Sequence, residues 1–258
     1  MAQQLWYVRD CSLFTRLSEE QLLRLERHAR VREFPKNSAI YLPTDAADGA
    51  FLLGKGRVRI CSNTPEGKQS ILAFIDPGEV FGELALIQPG ERDERAEAAV
   101  DSTVILLPGD ELRRMMEAST SLVMGISKLI GIRRKRIERR LKSLLFRSNR
   151  DRLGHLLLEL AEQYGKAVEE GVLLDVKLSH QELAAIIGVT RETVTTLLGE
   201  MQLEGLLKVS RQRVVIRSPA RLSLMLDADA PRWPERTPNR GPVIQASPSI
   251  FPSRDAHE

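Results

Sequence analysis

The chain has 258 residues, enough for two domains of ordinary size, and its 42% apolar and 28% charged residues are typical of a globular protein. The net charge of +3 says little about partners, so the distribution of charge is more informative. Two cysteines and four scattered histidines exclude a disulfide framework and provide no metal-ligand spacing. Because no apolar run is long enough to span a membrane and no signal peptide is evident, we expect a cytoplasmic protein.

The N-terminal part combines a helix with short strands. The stretch "SEEQLLRLERHA" begins with a capping signature at Ser18 and predicts a helix. Between 31 and 107, "SAIYLP", "GAFLLGKGRVRICSN", "QSILAFIDPG" and "STVILLPG" are β-rich runs separated by glycine and proline. Many short strands at even spacing are typical of a sandwich or a barrel.

A long helix is predicted from 109 to about 146. Apolar side chains recur along it every seven residues, at Val123, Ile130, Ile137 and Leu144. This spacing predicts a seam for a parallel helix partner, and therefore a homodimer. A companion row is mixed, with Ile126 followed by Arg133 and Arg140. One alternative is a helix packed on its own domain. Another is that Arg133 and Arg134 line a pocket for an anionic effector.

Residues 149 to 218 have the pattern of a compact helical unit that ends in a hairpin. "NRDRLGHLLLELAEQYG" predicts an amphipathic helix, and "SHQELAAIIG" a second one with a capping box at Ser179 and a stop at Gly188. A third helix begins after Thr190, its predicted N-cap. "GLLKVSRQRVVIRS" predicts a β-hairpin. Two short helices joined by "GVT" fit a helix-turn-helix.

The third helix should present a polar edge outward, formed by Arg191, Glu192, Thr195 and Thr196. Arg can bind guanine O6 and N7 with two bonds, and Glu can accept a hydrogen bond from cytosine N4. We therefore assign base reading in the major groove to this edge. Contacts to the DNA backbone are assigned to Ser179, Gln181, Thr190, Lys208, Arg211 and Arg213, with the hairpin acting as a wing. A basic run from 133 to 152 would add electrostatic attraction. The alternative is a protein-binding bundle with a solvated charged turn.

In their order, these parts resemble the cyclic-AMP receptor protein and fumarate–nitrate regulator (CRP/FNR) family over roughly residues 10 to 220. The most specific matches are "DPGEVFGELAL", "LLFRSNRDRL" and "LSHQELAAIIGVTRETVTTLLGEMQLEGLLKV". The resemblance implies an α+β fold with a cyclic-nucleotide-binding-like β-roll (jelly-roll) at 1–108, a dimerisation helix region at 109–147 and a winged helix-turn-helix at 148–220. The proline-rich remainder, 221–258, is predicted to be disordered.

The resemblance also implies roles for single residues. Arg191 and Glu192 match the positions that contact guanine and cytosine in the family, whereas Thr196 stands where many members carry a second arginine. "FGELAL" resembles the start of a phosphate-binding cassette. The predicted effector pocket comprises Gly82, Glu83, Leu84, Arg92, Arg95 and Ala96.

The cassette departs from the family after its first residues. An ungapped register makes Arg92 its arginine, followed by the acidic pair Asp93 and Glu94, which is unfavourable beside a phosphate. A shifted register uses Arg95 and Ala96 instead, and neither register restores the hydroxyl residue. Ile137 and Glu138 stand where cyclic-AMP binders have Thr-Ser.

The resulting hypothesis is a homodimeric, sequence-specific DNA-binding transcription regulator that does not depend on cyclic AMP. We expect its partners to be double-stranded DNA, a second copy of the chain and RNA polymerase, with no membrane, no metal and no certain cofactor. A cyclic nucleotide remains an alternative effector. The competing hypothesis is a cyclic-nucleotide-responsive regulator, or a nucleotide-binding module whose helical domain mainly contacts protein. No catalytic arrangement is evident, so an enzyme is not expected.

Overall fold

The computed structural model describes residues 7–9, 11–15, 17–63, 69–88, 90–210 and 213–228. Contacts divide the chain into two compact units, one of Met1–Gly154 with Leu178–Glu200 and one of His155–Lys177 with Met201–Glu258. Helices and antiparallel sheets are both present, which confirms the predicted α+β class. Among the described residues, no helix is both long enough and apolar enough to cross a membrane. The domain boundaries at 108, 147 and 220 stay predictions.

The first unit contains helix α1 (Glu19–His28), and the predicted capping box between Ser18 and Gln21 is present. Eight strands follow: β1 (Arg30–Phe34), β2 (Ala39–Tyr41), β3 (Gly49–Lys55), β4 (Val58–Asn63), β5 (Gln69–Ile75), β6 (Val80–Phe81), β7 (Arg95–Ala98) and β8 (Ser102–Pro108). A 3-10 helix, Glu83–Leu86, separates β6 from β7. The sequence patterns predicted β2 to β5 and β8, but β1, β6 and β7 were not recognised.

The strands form two four-stranded sheets, in the orders β1-β8-β3-β6 and β2-β7-β4-β5. Successive side chains of the central strands β3 and β8 point to opposite faces of the sheet, and both faces are buried. On β3, Ala50 and Leu52 enter a core shared with the helices, whereas Phe51 and Leu53 enter the core between the sheets. This arrangement is the sandwich that the spacing of the strands predicted.

The predicted long helix is two helices, α2 (Gly109–Ala118) and α3 (Thr120–Phe146). Ser119 ends α2 and caps α3, since its side chain accepts a hydrogen bond from the Leu122 backbone. Leu122 and Ile126 are buried in the helix-side core. One face of α3 therefore packs on its own β-roll, as the alternative interpretation of this helix anticipated.

Three helices follow: α4 (Asn149–Tyr164), α5 (His180–Ile187) and α6 (Arg191–Leu203). The second unit contains a sheet of four strands in the order β11-β12-β10-β9, with β9 at Gly165–Val168, β10 at Gly171–Leu174, β11 at Leu207–Ser210 and β12 at Arg213–Ile216. The predicted hairpin is β11 and β12, which pair antiparallel. Strands β9 and β10 were not predicted.

A last helix, α7 (Pro219–Met225), occupies part of the range predicted as a disordered tail. Its N-cap is Ser218, whose side chain accepts a hydrogen bond from the Arg221 backbone, and Pro219 suits the first helical turn. Leu222 and Ser223 are buried, so this part of the range is ordered. Residues 229–258 lie outside the described residues.

Candidate nucleic-acid interface and effector cavity

Helices α5 and α6 are bounded by local hydrogen bonds that the sequence predicted. Ser179 and Glu182 form the capping box of α5, and Gly188 ends it with a left-handed φ of 71°, a conformation that glycine adopts without strain. Thr190 caps α6, since its Oγ1 accepts a hydrogen bond from the Thr193 backbone at 3.2 Å. Helix α5 is therefore capped at both ends and α6 at its start, which defines where the first turn of α6 begins.

The polar edge of α6 is exposed, while its opposite face is buried. Val194, Leu198 and Met201 are at most 2% exposed. Arg191, Glu192, Thr195 and Thr196, hereafter the reading edge, are all exposed. The helix thus has the two faces that the sequence predicted.

Arg191 and Glu192 differ in how they are held. Within the described part of the chain, the Arg191 guanidinium has no hydrogen bond or salt bridge, so its donors are available to a ligand. Hydrogen bonds from its own backbone N–H and from the Thr190 hydroxyl lower the pKa of Glu192, with a smaller contribution from Arg191. The Glu192 carboxylate is therefore ionised at neutral pH and exposed at the helix start. A guanidinium beside an ionised carboxylate can distinguish base edges by donor and acceptor.

Thr195 has a partner that the sequence analysis missed. Its Oγ1 donates to the Arg191 carbonyl at 3.0 Å and lies 2.8 Å from Nδ1 of His180, the first residue of α5. The two residues are fifteen positions apart, and neither periodicity nor a motif links them. Only the packing of α5 against α6 brings them together.

The residues predicted to contact the DNA backbone differ in their exposure and in the hydrogen bonds that they form. Ser179 and Thr190 use their hydroxyl groups in the caps of α5 and α6. In the second unit, Lys208 Nζ bonds both carboxylate oxygens of Glu170 at 2.7 Å. Gln181 and Arg213 are exposed. Arg211 lies outside the described residues.

A cavity of about 360 Å³ opens between the β-roll and α3. Its apolar wall is formed by Ile60, Leu72, Ala73, Phe74, Ile75, Phe81, Leu84, Ile130 and Ile137. Its polar lining comprises Glu79, Glu83, Glu94, Arg133, Arg134, Arg136 and Glu138. Of the predicted pocket residues, Gly82, Glu83 and Leu84 line this cavity, whereas Arg92, Arg95 and Ala96 are not among the described residues that line it.

Arg92 is buried beside the cavity and bound to backbone. Its Nη1 donates to the Gly82 carbonyl at 2.9 Å and its Nη2 to the Gly49 carbonyl at 2.6 Å. The guanidinium carbon lies 4.6 Å from the centroid of the Tyr41 ring. Position 82 favours glycine, because its φ of 66° lies in the left-handed region and a Cβ atom there would approach Arg92 Nη1 to 2.7 Å. Arg92, the cassette arginine in the ungapped register, therefore already donates its hydrogen bonds to backbone carbonyl groups.

Arg95, the arginine of the shifted register, begins β7 and forms a 2.6 Å salt bridge with Glu97. Its neighbour Ala96 is fully buried in the core between the sheets. Neither residue is directed at the cavity, because one serves an ion pair and the other fills the core.

Acidic residues neutralise two of the three arginines that line the cavity. Arg133 forms a salt bridge with the buried Glu83, and it also donates to the Val80 carbonyl. Arg134 pairs with Glu138 at 2.8 Å, one turn further along α3. Arg136, half-buried, has no hydrogen bond or salt bridge to the described residues. The alternative in which Arg133 and Arg134 line a pocket agrees with this geometry.

Glu94 is a second carboxyl group in the cavity. Burial raises the pKa of Glu94, and the nearby Glu83 raises it further, whereas a 2.9 Å hydrogen bond from the Tyr41 hydroxyl acts in the opposite direction. Its partner in the predicted acidic pair, Asp93, is exposed. The cavity therefore contains a carboxyl group that is reluctant to ionise.

The companion row of the seam faces the β-roll. Ile126 is buried, Arg133 is bound as described, and Arg140 donates to the carbonyl groups of Ile71, at 3.0 Å, and of Leu72. Further along the basic run, Arg152 donates to the Ile187 carbonyl at 3.3 Å. Several arginines of this run are thus structural and are not part of a solvated face.

Helix α5 lies against the strand that forms one wall of the cavity. Ser70 on β5 donates through Oγ to the Ala185 carbonyl at 3.3 Å, and Arg59 on β4 lies 3.3 Å from Glu182. Arg59 also pairs with the buried Glu97 on β7. Leu72 and Ala73 of the same strand line the cavity. Strand β5 therefore contacts both the cavity and the first helix of the helix-turn-helix.

Comparisons with known proteins match both parts of the chain. A family model described as a cyclic nucleotide-binding domain matches residues 31–119, and one described as a Crp-like helix-turn-helix domain matches residues 151–225. A global nitrogen regulator of Synechococcus elongatus is 30% identical over 201 residues, which are 75% of this chain and 88% of the relative. A cyclic AMP receptor protein of Thermus thermophilus is 28% identical over 210 residues, 81% of this chain and 94% of the relative.

The same likeness extends to solved structures. The structure of FixK2 from Bradyrhizobium japonicum is similar with a TM-score of 0.69 at 25% identity, over 78% of this chain and 98% of that one. The two family matches and this likeness agree with the order of parts in this chain: a β-rich domain, a long helix and a helix-turn-helix.

Proposed function

The chain belongs to the CRP/FNR family of transcription regulators, and on this premise we propose that it is a homodimer that reads a pseudo-palindromic DNA site with α6. The observation that carries the proposal is the first turn of α6, where the exposed Arg191, which has no hydrogen bond or salt bridge to the described residues, stands beside an exposed, ionised Glu192. Binding to genomic DNA implies action in the cytoplasm, and control of transcription implies contact with RNA polymerase.

Each member of the reading edge has a distinct role. Arg191 binds guanine O6 and N7, and Glu192 accepts a hydrogen bond from cytosine N4. Thr196 offers one hydrogen bond or a methyl contact, so its base pair is read less strictly. Backbone contacts come from Ser179, Gln181, Thr190, Lys208, Arg211 and Arg213. Lys208 must exchange Glu170 for a phosphate to take part.

Exposed apolar side chains on α3 support the homodimer. Ile137 is 56% exposed and Leu144 is 43% exposed, and both belong to the predicted seven-residue row. Leu141, which is 55% exposed, lies between them at spacings of four and three residues. Such spacing is typical of a coiled-coil seam, so the second row of the seam runs through Ser127, Arg134 and Leu141. A second copy of α3 is the proposed partner.

The binding groups in and beside the cavity favour a regulator that does not need cyclic AMP. A cyclic nucleotide requires a cation for its phosphate, yet Arg92 is bound to carbonyl groups, Arg133 to Glu83 and Arg134 to Glu138, so that of the arginines in and beside the cavity only Arg136 has no partner among the described residues. Glu83 and Glu138 add carboxylates to the same lining. Placing a phosphate there would bring like charges together and would separate an existing ion pair. The nucleotide-binding module is the weaker hypothesis for this reason.

Regulation by another ligand would act through β5. This strand lines the cavity at Leu72 and Ala73 and contacts α5 through Ser70. A molecule that displaces the wall of the cavity would therefore alter a contact of the helix-turn-helix. Arg140 fixes the same stretch of β5 to α3, so the movement would also reach the dimer seam.

The proposal is tested by selecting bound sequences from random duplexes and then comparing variants on the selected site. Arg191→Ala should weaken binding by about 1–3 kcal/mol and relax one base preference. Arg191→Lys is the matched control, because it keeps the charge but lacks the planar fork. If Lys restores both affinity and preference, Arg191 contributes only charge. If the Ala variant keeps the wild-type ratio between cognate and scrambled duplex, Arg191 does not read a base.

A further inference from the structure

The outer face of the sheet β2-β7-β4-β5 is buried, although it points away from the core between the sheets. Val58 and Ile60 on β4 enter that core. Arg59 and Cys61 alternate with them and therefore lie on the outer face. Cys61 and its cross-strand neighbour Ile71 are 0% and 2% exposed. The outer face of an antiparallel sheet is commonly solvated, so another element must cover this one.

Helix α5, the first helix of the helix-turn-helix, lies over this face. Arg59 Nη1 lies 3.3 Å from Glu182 Oε1, and Ser70 donates to the Ala185 carbonyl at 3.3 Å. These two interactions are hereafter the docking contacts. The side chains of Arg59 and Glu182 are only 15% and 20% exposed. Salt screens such a partly buried pair less than a surface pair, so it can hold the helix on the sheet.

Arg59 is oriented towards α5 by residues of the β-roll. Glu97, directly opposite on β7, pairs with Arg59 and also with Arg95 at 2.6 Å. The Asn37 side chain accepts a further hydrogen bond from Arg59 at 3.1 Å. The outer face thus carries two arginines and one carboxylate of its own, and Glu182 of α5 supplies the second carboxylate. The charges of this cluster balance only when α5 is docked.

A second interaction holds the other end of α5. Arg152 on α4 donates to the Ile187 carbonyl at 3.3 Å and to the Leu144 carbonyl at 3.2 Å. Both carbonyl groups belong to the last turn of a helix, α5 and α3 respectively, where no partner exists within the helix. Helix α5 is therefore anchored to the β-roll near its start and to the end of α3 at its finish.

Anchoring α5 also orients the reading edge. Only residues 188–190 separate α5 from α6, and His180 at the start of α5 contacts Thr195 on α6 at 2.8 Å. The reading edge is exposed in this docked arrangement. Arg140 in turn ties β5 to α3, which carries the proposed dimer seam. Packed contacts thus connect the seam to the reading edge, so in a dimer the protein itself would fix the separation of the two reading edges.

We propose that Arg59 is a positioning residue for DNA reading: by docking α5 through Glu182, it sets the spacing of half-sites that the dimer accepts. The inference rests on the DNA-reading homodimer proposed above. An undocked helix-turn-helix would still recognise its own half-site, because the reading edge is unchanged. It would be oriented only on binding, which lowers the effective concentration of the second helix at the second half-site.

The test measures binding to three duplexes: the selected palindrome, the same palindrome with two base pairs inserted between its half-sites, and a single half-site. The insertion rotates one half-site by about 70° about the DNA axis. Two docking variants are compared with wild type. Glu182→Gln removes the charge that Arg59 binds but keeps an oxygen for the capping box of α5, and Arg59→Met removes the other partner. Glu200→Gln is the matched control, since Glu200 is an exposed carboxylate of α6 outside the docking contacts.

Both docking variants should lower the preference for the selected spacing over the lengthened one by about five- to 150-fold. Their affinity for the single half-site should stay at the wild-type level, and Glu200→Gln should keep the wild-type spacing preference. Undocking should also uncover the Cys61 thiol. In a Cys11→Ser background, a thiol reagent should therefore modify the docking variants faster than the protein with intact docking contacts.

An unchanged spacing preference in both docking variants would overturn the inference. Tighter binding of the selected palindrome by these variants would also overturn it, because docking would then hold α6 away from DNA. Loss of half-site affinity in Glu182→Gln at an unchanged melting temperature would show that Glu182 serves a DNA contact and not the spacing. A wild type that prefers the palindrome but accepts both spacings equally refutes the role of docking alone. No preference of wild type for the palindrome over a scrambled duplex refutes the DNA-reading function itself.

Discussion

Truncating Ile137 to alanine should weaken the dimer without unfolding the protomer. Full burial of an isoleucine side chain contributes about 1.5–3 kcal/mol. Because Ile137 is 56% exposed, about 1–1.5 kcal/mol of this remains to be gained when a partner helix covers it. The truncation occurs in both copies, so the expected loss is about 2–3 kcal/mol, or about a 30- to 150-fold rise in the dimer dissociation constant.

The measurement is sedimentation equilibrium over a dilution series, with thermal unfolding as a check on the fold. Ile132→Ala is the matched control, because Ile132 is on the same helix, is 43% exposed and lies outside the seven-residue row. It should leave the dissociation constant unchanged. If both variants weaken association equally, or if neither does, the seam through Ile137 is wrong.

Three further predictions concern the cavity and the capping of α5. The variant Glu94→Gln tests the raised pKa of the Glu94 carboxyl. Because this pKa is higher in the native state, the native wild-type protein retains the Glu94 proton at a pH where the unfolded chain has lost it. Wild-type stability should therefore fall relative to Glu94→Gln as the pH rises from about 4 to about 8, and a constant difference in melting temperature would contradict this. Arg92→Met leaves the Gly82 and Gly49 carbonyls without the guanidinium donors and should lower the free energy of unfolding, measured with urea, by about 2–4 kcal/mol. An unchanged free energy of unfolding would mean that the guanidinium does not hold these carbonyls. Ser179→Ala removes the side-chain cap of α5 and should lower the same free energy of unfolding by about 0.5–2 kcal/mol. An unchanged midpoint of the urea unfolding curve would refute the role of the cap.

The sequence predicted best those features that depend on residues three or four positions apart. The capping boxes at Ser18 and Ser179 and the stop at Gly188 are formed by neighbours in the chain, so local spacing is sufficient to recognise them. The burial of Val194 and Leu198 follows from helical periodicity for the same reason. Strands β9 and β10 were missed because "GKAVEEGVLL" is short and contains two glycines, and its pairing depends on the distant β12.

The partners of charged and polar side chains could not be predicted from spacing. Arg133 and Arg140 lie on a row that a heptad count assigns equally well to a dimer seam or to the protein's own core, and only the position of β5 and β6 decides between them. Arg92 occupies the expected register, yet its guanidinium binds the carbonyl groups of Gly49, at the start of β3, and of Gly82, which precedes the 3-10 helix. The contact between His180 and Thr195 is tertiary in the same sense.

The central claim is that this chain reads DNA through α6 without cyclic AMP. The most direct measurement is a titration of a selected duplex and a scrambled duplex with purified protein, each with and without added cyclic AMP. We predict dissociation constants of about 10⁻⁸ to 10⁻¹¹ M for the selected duplex, much weaker binding of the scrambled one, and no change on addition of the nucleotide. Preference for the selected duplex that arises only with cyclic AMP, or no preference under either condition, would contradict the account.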